Sequence, residues 1–435
     1  MNRIAAVIAA MFVQPLLGGP VCQGESLSYA WGCALANNPQ LAAVRLDEAA
    51  AHEDVAVAAS DRWPTAWAQG SYTVRSNERS FRMTNPYSPG QQFVAPFAQR
   101  EAAGAAVGVT APLYTGGEVT NAVLGAEALA AASVQGTAAS RLQLLMAVGD
   151  AYITALRSQR ELEVADQNLA SLVAHERDVR RQFDQQRVAR SDLLSAQVAT
   201  STAEQLRLRR LYQLEAARGE YNRLLCRPLG AIVELDEIDL PPLAASLDEL
   251  QRTAWVERPD LAQLQASADA RHFDAERLRA SARPHVSAVG RHDFEENRFQ
   301  TPQAITSAGI VVDWNFYDAG RSRRAATAAQ TRASSIVRLV DDLRSRIALE
   351  VRTEWNGIDE AIARRQVAAR AFEQAEENLR VSTLRYEQGV TVESEVIDSQ
   401  ARRTQSASDF FNAGHDMTLA QIRLRYAVGI LGNGQ

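Results

Sequence analysis

The chain has 435 residues and a net charge of −6, and 23% of its residues are charged while 46% are hydrophobic. This composition is that of a folded protein rather than a disordered one, and the length allows two or three ordinary domains. The acidic balance argues against nucleic acid as a partner, because binding to a phosphate backbone requires clustered cationic side chains.

Residues 1–24 have the pattern of a secretory signal peptide, which predicts that the mature protein works outside the cytoplasm. Arg3 supplies the basic start, and an apolar run follows from Ile4 to Leu17. Cys22 raises the question of a lipid anchor, but Val21 stands where a lipidation motif has a small residue. Lipidation at Cys22 therefore stays open.

The rest of the chain contains no apolar run of 18 or more residues, which excludes a membrane-spanning helix. A mature chain that crosses a membrane would have to do so as a closed β-barrel, which satisfies its backbone hydrogen bonds internally. Cys33 and Cys226 could pair in an oxidising compartment, although we expect two buried thiols.

The mature sequence is interpreted as two copies of one structural unit, residues 25–226 and 246–435. A proline-containing link over residues 227–245 joins them. Each copy predicts a short helix, two strands separated by a loop, a very long helix, a reversal of the chain and a further helix. The sequence therefore predicts an internal duplication.

The spacing between the two copies changes along the chain. Residues 26–43 match residues 246–263 at an offset of 220, whereas residues 107–117 match residues 310–320 at an offset of 203. The 17 extra residues of the first copy fall within 76–101. That stretch is rich in Ser, Asn, Pro and Gln, which is typical of an exposed loop.

Apolar and polar residues alternate with a period of two in the predicted strands, which gives each strand one apolar face. A strand of a transmembrane barrel needs about 10 residues and shows this pattern, but a strand of a soluble sheet shows it as well. The apolar positions are Ala66, Ala68, Tyr72 and Val74; Val107, Val109, Ala111 and Leu113; Val286 and Ala288; and Ile310, Val312, Trp314 and Phe316.

Two stretches without proline, residues 118–183 and 321–386, predict the long helices. Apolar residues recur three or four positions apart along both stretches, with Arg, Glu and Gln between them. A helix of this length would reach about 100 Å, which no compact domain accommodates. The spacing favours a coiled-coil seam over a globular core. A rod without a pore is the alternative, but it does not explain why strands precede each long helix.

Glycines mark the junction where a strand passes into each long helix. Gly116, Gly117 and Gly320 allow a sharp turn of the chain, while Thr115 and Asp318 can cap the first helical turn. Large apolar side chains gather just before this turn, as in an interfacial girdle. These side chains are Leu113, Tyr114, Trp314, Phe316 and Tyr317.

The reversal that follows each long helix is repeated in the sequence. Residues 183–197 read FDQQRVARSDLLSAQ, and residues 386–400 read YEQGVTVESEVIDSQ. Gly389 supplies the turn of the second copy, whereas Gln186 stands at this position in the first. No zinc-site spacing of histidines, nucleophile elbow, phosphate loop or dinucleotide fingerprint is present. We therefore expect neither an enzyme nor a cofactor or metal site.

The duplicated PLYTGG and NFYDAG junctions, the duplicated reversals and the NPQL and RPDL helix starts together resemble the TolC-like outer membrane efflux family. The resemblance covers essentially the whole mature chain. It implies an α+β membrane protein that assembles as a trimer. Each protomer would give four strands to one twelve-stranded outer-membrane barrel, continuous with a long α-helical barrel in the periplasm.

The residues themselves account for part of this architecture. Bacterial barrels begin at 8 strands, so four strands cannot close one and the chain must form a cyclic oligomer. Two, three or four copies would satisfy the strand count, and only the resemblance implies three.

In the family, acids after the second reversal surround the closed periplasmic end, and they correspond to Glu395 and Asp398 here. Tyr386 and Asp192 match the residues that hold the helices shut, while Thr391 replaces the family's constraining arginine. The alternative for Glu395 is a carboxylate that stabilises the helix N-terminus, whereas Asp398 lies a turn further along the helix.

The resemblance also implies partners. Both reversals would dock a periplasmic adaptor protein through Arg187, Arg190, Gly389 and Val390, and an inner-membrane transporter would select the cargo. The implied function is a passive outer-membrane duct of a tripartite export system, embedded in outer-membrane lipid. Drugs, metals and a secreted protein are all possible cargoes. The alternative is a coiled-coil structural or surface protein of the cell envelope.

Overall fold

A computed structural model describes residues 25–84, 87, 90–238 and 240–432. The predicted signal peptide and Cys22 lie outside the described residues. The helices are α1 (Leu27–Asn37), α2 (Pro39–Ser60), α3 (Glu118–Asp184), α4 (Arg190–Leu224), α5 (Leu247–Glu257), α6 (Pro259–Ala280), α7 (Arg321–Glu387) and α8 (Glu393–Val428). The strands are β1 (Thr65–Val74), β2 (Arg79–Thr84), β3 (Gln92–Ala98), β4 (Glu101–Tyr114), β5 (His285–Glu295) and β6 (Ala304–Asp313).

The two halves of the chain present their elements in the same order, apart from the β2–β3 hairpin. The bounds of α1 and α2 recur in α5 and α6 at an offset of 220, and those of α3 recur in α7 at an offset of 203. The helices α3 and α7 each have 67 residues and span about 100 Å. Each helix in the described part of the chain is either too short or too polar to span a lipid bilayer.

Four antiparallel strands form a sheet in the order β1-β4-β5-β6 within the described part of the chain. The register pairs Ala68 with Val107 and Ala288 with Ile310, and directly paired residues share a face of a sheet. The predicted apolar positions that pair in the sheet therefore lie on one common face. The opposite face carries the polar residues Gln69, Ser71, Thr73, Arg75, Arg291, Asp293 and Glu295.

The prediction that the last strand continues to Phe316 is wrong, since β6 ends at Asp313. Asp313 pairs with His285, which is the first residue of β5. Pro284 precedes His285 and has no N–H group to donate, so the ladder stops there. Trp314 instead donates from its indole Nε1 to the carbonyl oxygen of Ala282 at 3.2 Å.

The predicted loop over residues 76–101 contains an additional hairpin formed by β2 and β3. Phe81 and Phe97 stack on one face of this hairpin with ring centroids 4.3 Å apart. Asn297, in the β5–β6 connection, donates from its side-chain amide to the carbonyl oxygen of Phe97 at 2.9 Å. The stretch is exposed as expected, but alternating apolar residues organise it into strands that the Ser, Asn and Pro content concealed.

Apolar clusters in the middle of the long helices hold the helical part together. The first cluster surrounds Tyr152 and Tyr221 and includes Val233 and Leu240 from the connection between the two halves. The Tyr152 hydroxyl donates to the backbone oxygens of Glu25 at 2.5 Å and Asp236 at 2.8 Å. These bonds attach Glu25, the first described residue, to the first cluster. A second cluster joins α5, α6, α7 and α8.

The expectation of two buried thiols holds only in part. Cys33 is half-buried, whereas Cys226 is exposed, and both are free thiols in the described part of the chain. Cys226 follows the end of α4 with a positive φ of 59°, which places it in the turn that leaves the helix.

Candidate functional site

The two strand-to-helix junctions have the same backbone conformation. Gly116 and Gly117 have φ angles of 62° and 91°, and the corresponding Ala319 and Gly320 have angles of 54° and 77°. A Cβ atom at Gly116 would lie 2.7 Å from the Cβ atom of Arg283, closer than real side chains approach. Glycine is therefore required at this position for its small size as well as for its backbone angle.

The predicted helix cap is present at one junction and differs at the other. The Asp318 carboxylate accepts hydrogen bonds from the backbone N–H groups of Gly320 at 2.9 Å and Ser322 at 2.7 Å. The Ser322 hydroxyl, followed by these amides, lowers the pKa of Asp318 below its ordinary value. Thr115 contributes only its backbone oxygen, which accepts from the N–H of Glu118 at 2.9 Å, so the predicted side-chain cap there is wrong.

Both reversals form the same glycine-type helix stop. At the end of α7, the N–H of Gly389 donates to the oxygen of Tyr386, and the N–H of Val390 donates to the oxygen of Arg385. At the end of α3, the N–H groups of Gln186 and Arg187 make the equivalent bonds to Phe183 and Gln182. This is the Schellman pattern of hydrogen bonds. Gln186 therefore adopts the left-handed backbone, with φ at 58°, that Gly389 adopts at 71°.

The residues predicted to dock an adaptor lie on the outer surface of these reversals. Arg187, Arg190, Gly389 and Val390 are all exposed. Val390 and the neighbouring Val392 are large apolar side chains that remain in contact with solvent. The two reversals thus present cationic side chains on one hairpin and apolar side chains on the other.

The predicted gate residues are in different surroundings. The Glu395 carboxylate contacts Arg385 at 3.3 Å and accepts a hydrogen bond from the Thr391 hydroxyl. Asp398 is exposed, and Asp192 accepts from the backbone N–H of Ala189 at 3.3 Å. Glu395 therefore also stabilises the start of its own helix, and Thr391 bonds within one reversal rather than across to another helix.

Tyr386 lies in a cluster that the sequence alone did not predict. Its hydroxyl is buried, and burial, followed by the nearby carboxylates of Glu393 and Asp192, raises its pKa above the ordinary value. Glu393, the first residue of α8, is only 3% exposed. His175 of α3 contacts the Glu393 carboxylate through Nε2 at 2.6 Å, and its ring centroid lies 5.8 Å from that of Tyr386.

This cluster is the outermost of several polar contacts along the antiparallel seam between α3 and α8. Polar contacts in a helical seam fix the register of the helices more than they add to stability. Seven residues inward on both helices, Asn168 accepts from the side-chain amide of Gln400 at 2.9 Å. The further contacts join Thr404 to Asn168, Asn412 to Glu161, and Arg157 to Asp416.

A sequence profile of the outer membrane efflux protein family matches residues 32–225 and 250–430, which is most of the chain. The chain belongs to the outer membrane efflux protein family. The predicted family is therefore confirmed, and membership places the chain in the outer membrane with a part that extends into the periplasm.

Individual efflux-family relatives are distant in sequence. The chain is 24% identical over 307 residues to the alkaline protease secretion protein AprF of Pseudomonas aeruginosa. This match spans 66% of the chain and 62% of the length of AprF.

Solved structures of membrane proteins have the same fold. A membrane protein of Pseudomonas aeruginosa superimposes with a TM-score of 0.78 at 21% identity, covering 93% of both chains. The outer membrane protein VceC of Vibrio cholerae superimposes with a TM-score of 0.77 at 16% identity, covering 93% of this chain and 96% of its own. At these identities the likeness concerns the fold.

Proposed function

We propose that the protein is the outer-membrane duct of a tripartite export system and that it works as a trimer. The observation that carries this proposal is a four-stranded sheet joined directly to two helices of 67 residues each. The outer strands β1 and β6 are exposed along their whole length. The unpaired N–H and C=O groups of an edge strand can form hydrogen bonds with a strand of another chain. Pairing β6 of one copy with β1 of the next would give a twelve-stranded barrel from three copies.

The two faces of the sheet support this arrangement. The apolar face, with Val107 and Ile310, would contact outer-membrane lipid, and the polar face, with Arg291 and Asp293, would line the lumen. On the polar face the guanidinium of Arg291 lies 5.4 Å from the centre of the Trp67 ring. The long connection of residues 76–101 would then lie outside the cell, since long loops of such barrels face outward.

The helices would continue the duct into the periplasm, with residues 25–226 and 246–435 as the repeated units and 227–245 as their link. The reversals at Gly389 and Gln186 would form its inner end. Three copies of Glu395 and Asp398 would place six carboxylates around the axis, and rings of acidic side chains favour cations. Tyr386 and Asp192 would help to keep this end closed.

An adaptor protein would dock on the exposed reversals through Arg187, Arg190, Gly389 and Val390, and would connect the duct to an inner-membrane transporter. The transporter would select the cargo, so one duct suits drugs, metals or a secreted protein. AprF is named as a protein of alkaline protease secretion, which makes protein secretion one of these cases.

Reconstitution of the purified protein into planar lipid bilayers tests this function. We expect discrete, cation-selective conductance steps, and heat-sensitive migration of the outer-membrane fraction in gels. A coiled-coil envelope protein would show neither, because it encloses no pore. Absence of conductance from protein that fractionates with the outer membrane would contradict the proposal.

A further inference from the structure

Helix α8 begins with a buried carboxylate, Glu393, and the proposed acidic gate does not explain why it is buried. Glu393 is 3% exposed, although it stands two residues before the half-exposed Glu395 on the same helix. Its Oε2 atom and the Tyr386 hydroxyl are both buried, and the hydroxyl interacts with the Glu393 carboxylate. Burying a carboxylate is unfavourable unless a donor compensates for its lost hydration.

The compensation comes from the other helical hairpin. The imidazole Nε2 of His175 lies 2.6 Å from Oε1 of Glu393, so α3 supplies the donor to a carboxylate on α8. The carboxylate also lies at the positive end of α8, where negative charge is favoured. Tyr386 of α7 packs its ring against His175, and Asp192 of α4 is the further charged group close to Tyr386. Helices α3, α4, α7 and α8 therefore meet at this point.

The equivalent position in the first half of the chain has no such arrangement. Arg190 stands where Glu393 stands in the second half, and it is exposed. Asn378 stands where His175 stands, and its amide donates to the Ser399 hydroxyl at 3.0 Å, which is a contact within the α7–α8 hairpin. The contact between hairpins is thus specific to the second reversal, the one that carries Glu395 and Asp398.

We propose that His175 and Glu393 form a clasp between the α3–α4 and α7–α8 hairpins, and that this clasp keeps the second reversal, with its acidic residues, in the closed position. The clasp is the last contact of the polar α3–α8 seam before the helices end. Separation of the two hairpins at this end has to break it. His175 and Glu393 are then positioning residues for the gate, and the proposal rests on the proposed export function.

Spin labels at Val173→Cys on α3 and Ser394→Cys on α8 measure the clasp directly, with Cys33 and Cys226 replaced by serine. Both labelled positions are exposed. His175→Leu should broaden the distance distribution within a protomer and shift it to longer values. His175→Gln keeps a donor and should restore the narrow distribution. Asn378→Ala is the matched control, since it removes a contact within one hairpin, and should leave the distribution unchanged.

Conductance in planar bilayers gives the functional counterpart. His175→Leu should raise the ratio of open to closed channels about tenfold, as expected for loss of one hydrogen bond to a charged group. If this variant fails to assemble, the double variant His175→Leu with Glu393→Leu leaves no unpaired buried charge and should show the same broadening. Conductance in the wild type with an unchanged distance distribution in these variants would overturn the clasp. A changed distribution without wild-type conductance would overturn the export function alone.

Discussion

Equivalent positions in the two reversals carry different residues, and the differences indicate different tasks. The first reversal has Gln186 and Arg190 where the second has Gly389 and Glu393. The first exposes positive charge, while the second buries one carboxylate and leaves Asp398 exposed. A single backbone pattern therefore supports a cationic turn in one half, and in the other an apolar turn followed by an exposed carboxylate.

The proposed acidic ring leads to a prediction for trivalent cations. The double variant Glu395→Ala with Asp398→Ala removes six carboxylates from a trimer and should weaken block of the channel from the periplasmic side by at least about tenfold. The conductance of the closed channel should change little, because helix packing sets the width of the pore. Bilayer recordings measure both quantities.

Asp409→Ala is the control for that experiment, since Asp409 is an exposed carboxylate further along α8. It should leave the block as it is in the wild type. Unchanged block in the double variant would place the cation site elsewhere, and Asp192 would be the next residue to examine.

The left-handed turns lead to a prediction about stability. Gly389→Ala should destabilise the protein by about 1 kcal/mol, because an L-residue at φ 71° is strained. A Cβ atom at Gly389 meets nothing within 4 Å, so the cost lies in the backbone. The reciprocal change Gln186→Gly relieves such strain and should be neutral or stabilising. Denaturant unfolding measures both, and equal losses from the two changes would contradict this explanation.

The individual residues of the site were only partly predictable. The repeated motif indicates where the helices reverse, because glycine and the acids recur at fixed spacing. The contact between His175 and Glu393 joins residues 218 positions apart, and no local pattern marks it. The repeat aligns Gln186 with Gly389, but the preference of glutamine itself does not favour the left-handed conformation. Such details depend on tertiary packing, which local preference does not determine.

At the level of elements, the first junction between strand and helix is closely packed as well as sharply turned. Gly116→Ala should cost more than Gly389→Ala, because a Cβ atom at Gly116 meets Arg283 at 2.7 Å and the Ala280 oxygen at 3.0 Å. We expect poor assembly or a loss of roughly 2–4 kcal/mol. Thermal unfolding of the extracted protein measures it.

The second junction provides the control for that change. Ala319 already carries a Cβ atom at φ 54°, so Ala319→Gly should be tolerated or mildly stabilising. A Gly116→Ala variant as stable as the wild type would show that the approach of Arg283 can relax freely.

The exposed reversals should behave as a docking element. Arg190→Glu reverses a charge on the surface of the first reversal and should weaken crosslinking to the adaptor in cells, while membrane insertion stays intact. Arg209→Glu, a charge reversal at an exposed site far along α4, is the control and should have no effect. Adaptor contact that maps instead to the 227–245 link would contradict the assignment.

The positions of most strands and long helices were predictable from the sequence. Period-two alternation located β1, β4, β5 and β6, and two long stretches without proline located α3 and α7. The end of β6 was not predictable, because it depends on Pro284, which precedes the first residue of the neighbouring strand β5. The β2–β3 hairpin was missed because turn-forming residues are frequent in the surrounding stretch 76–101. Strand pairing decides both outcomes.

For the whole molecule, the central claim is that three copies close one barrel around a continuous duct. The four-stranded sheet requires partners on both edges, but its strand count suits several cyclic assemblies. Helices α4 and α7 also favour assembly, since they carry exposed apolar residues such as Val198 and Leu349. Burial of such surface between copies would contribute stabilisation that one protomer lacks.

The mass of the intact complex, extracted from outer membranes in mild detergent and measured by native mass spectrometry, tests this claim most directly. The account predicts one dominant species of three copies, and limited chemical crosslinking of the same sample should stop at three subunits. A dominant monomer, dimer or tetramer would contradict it.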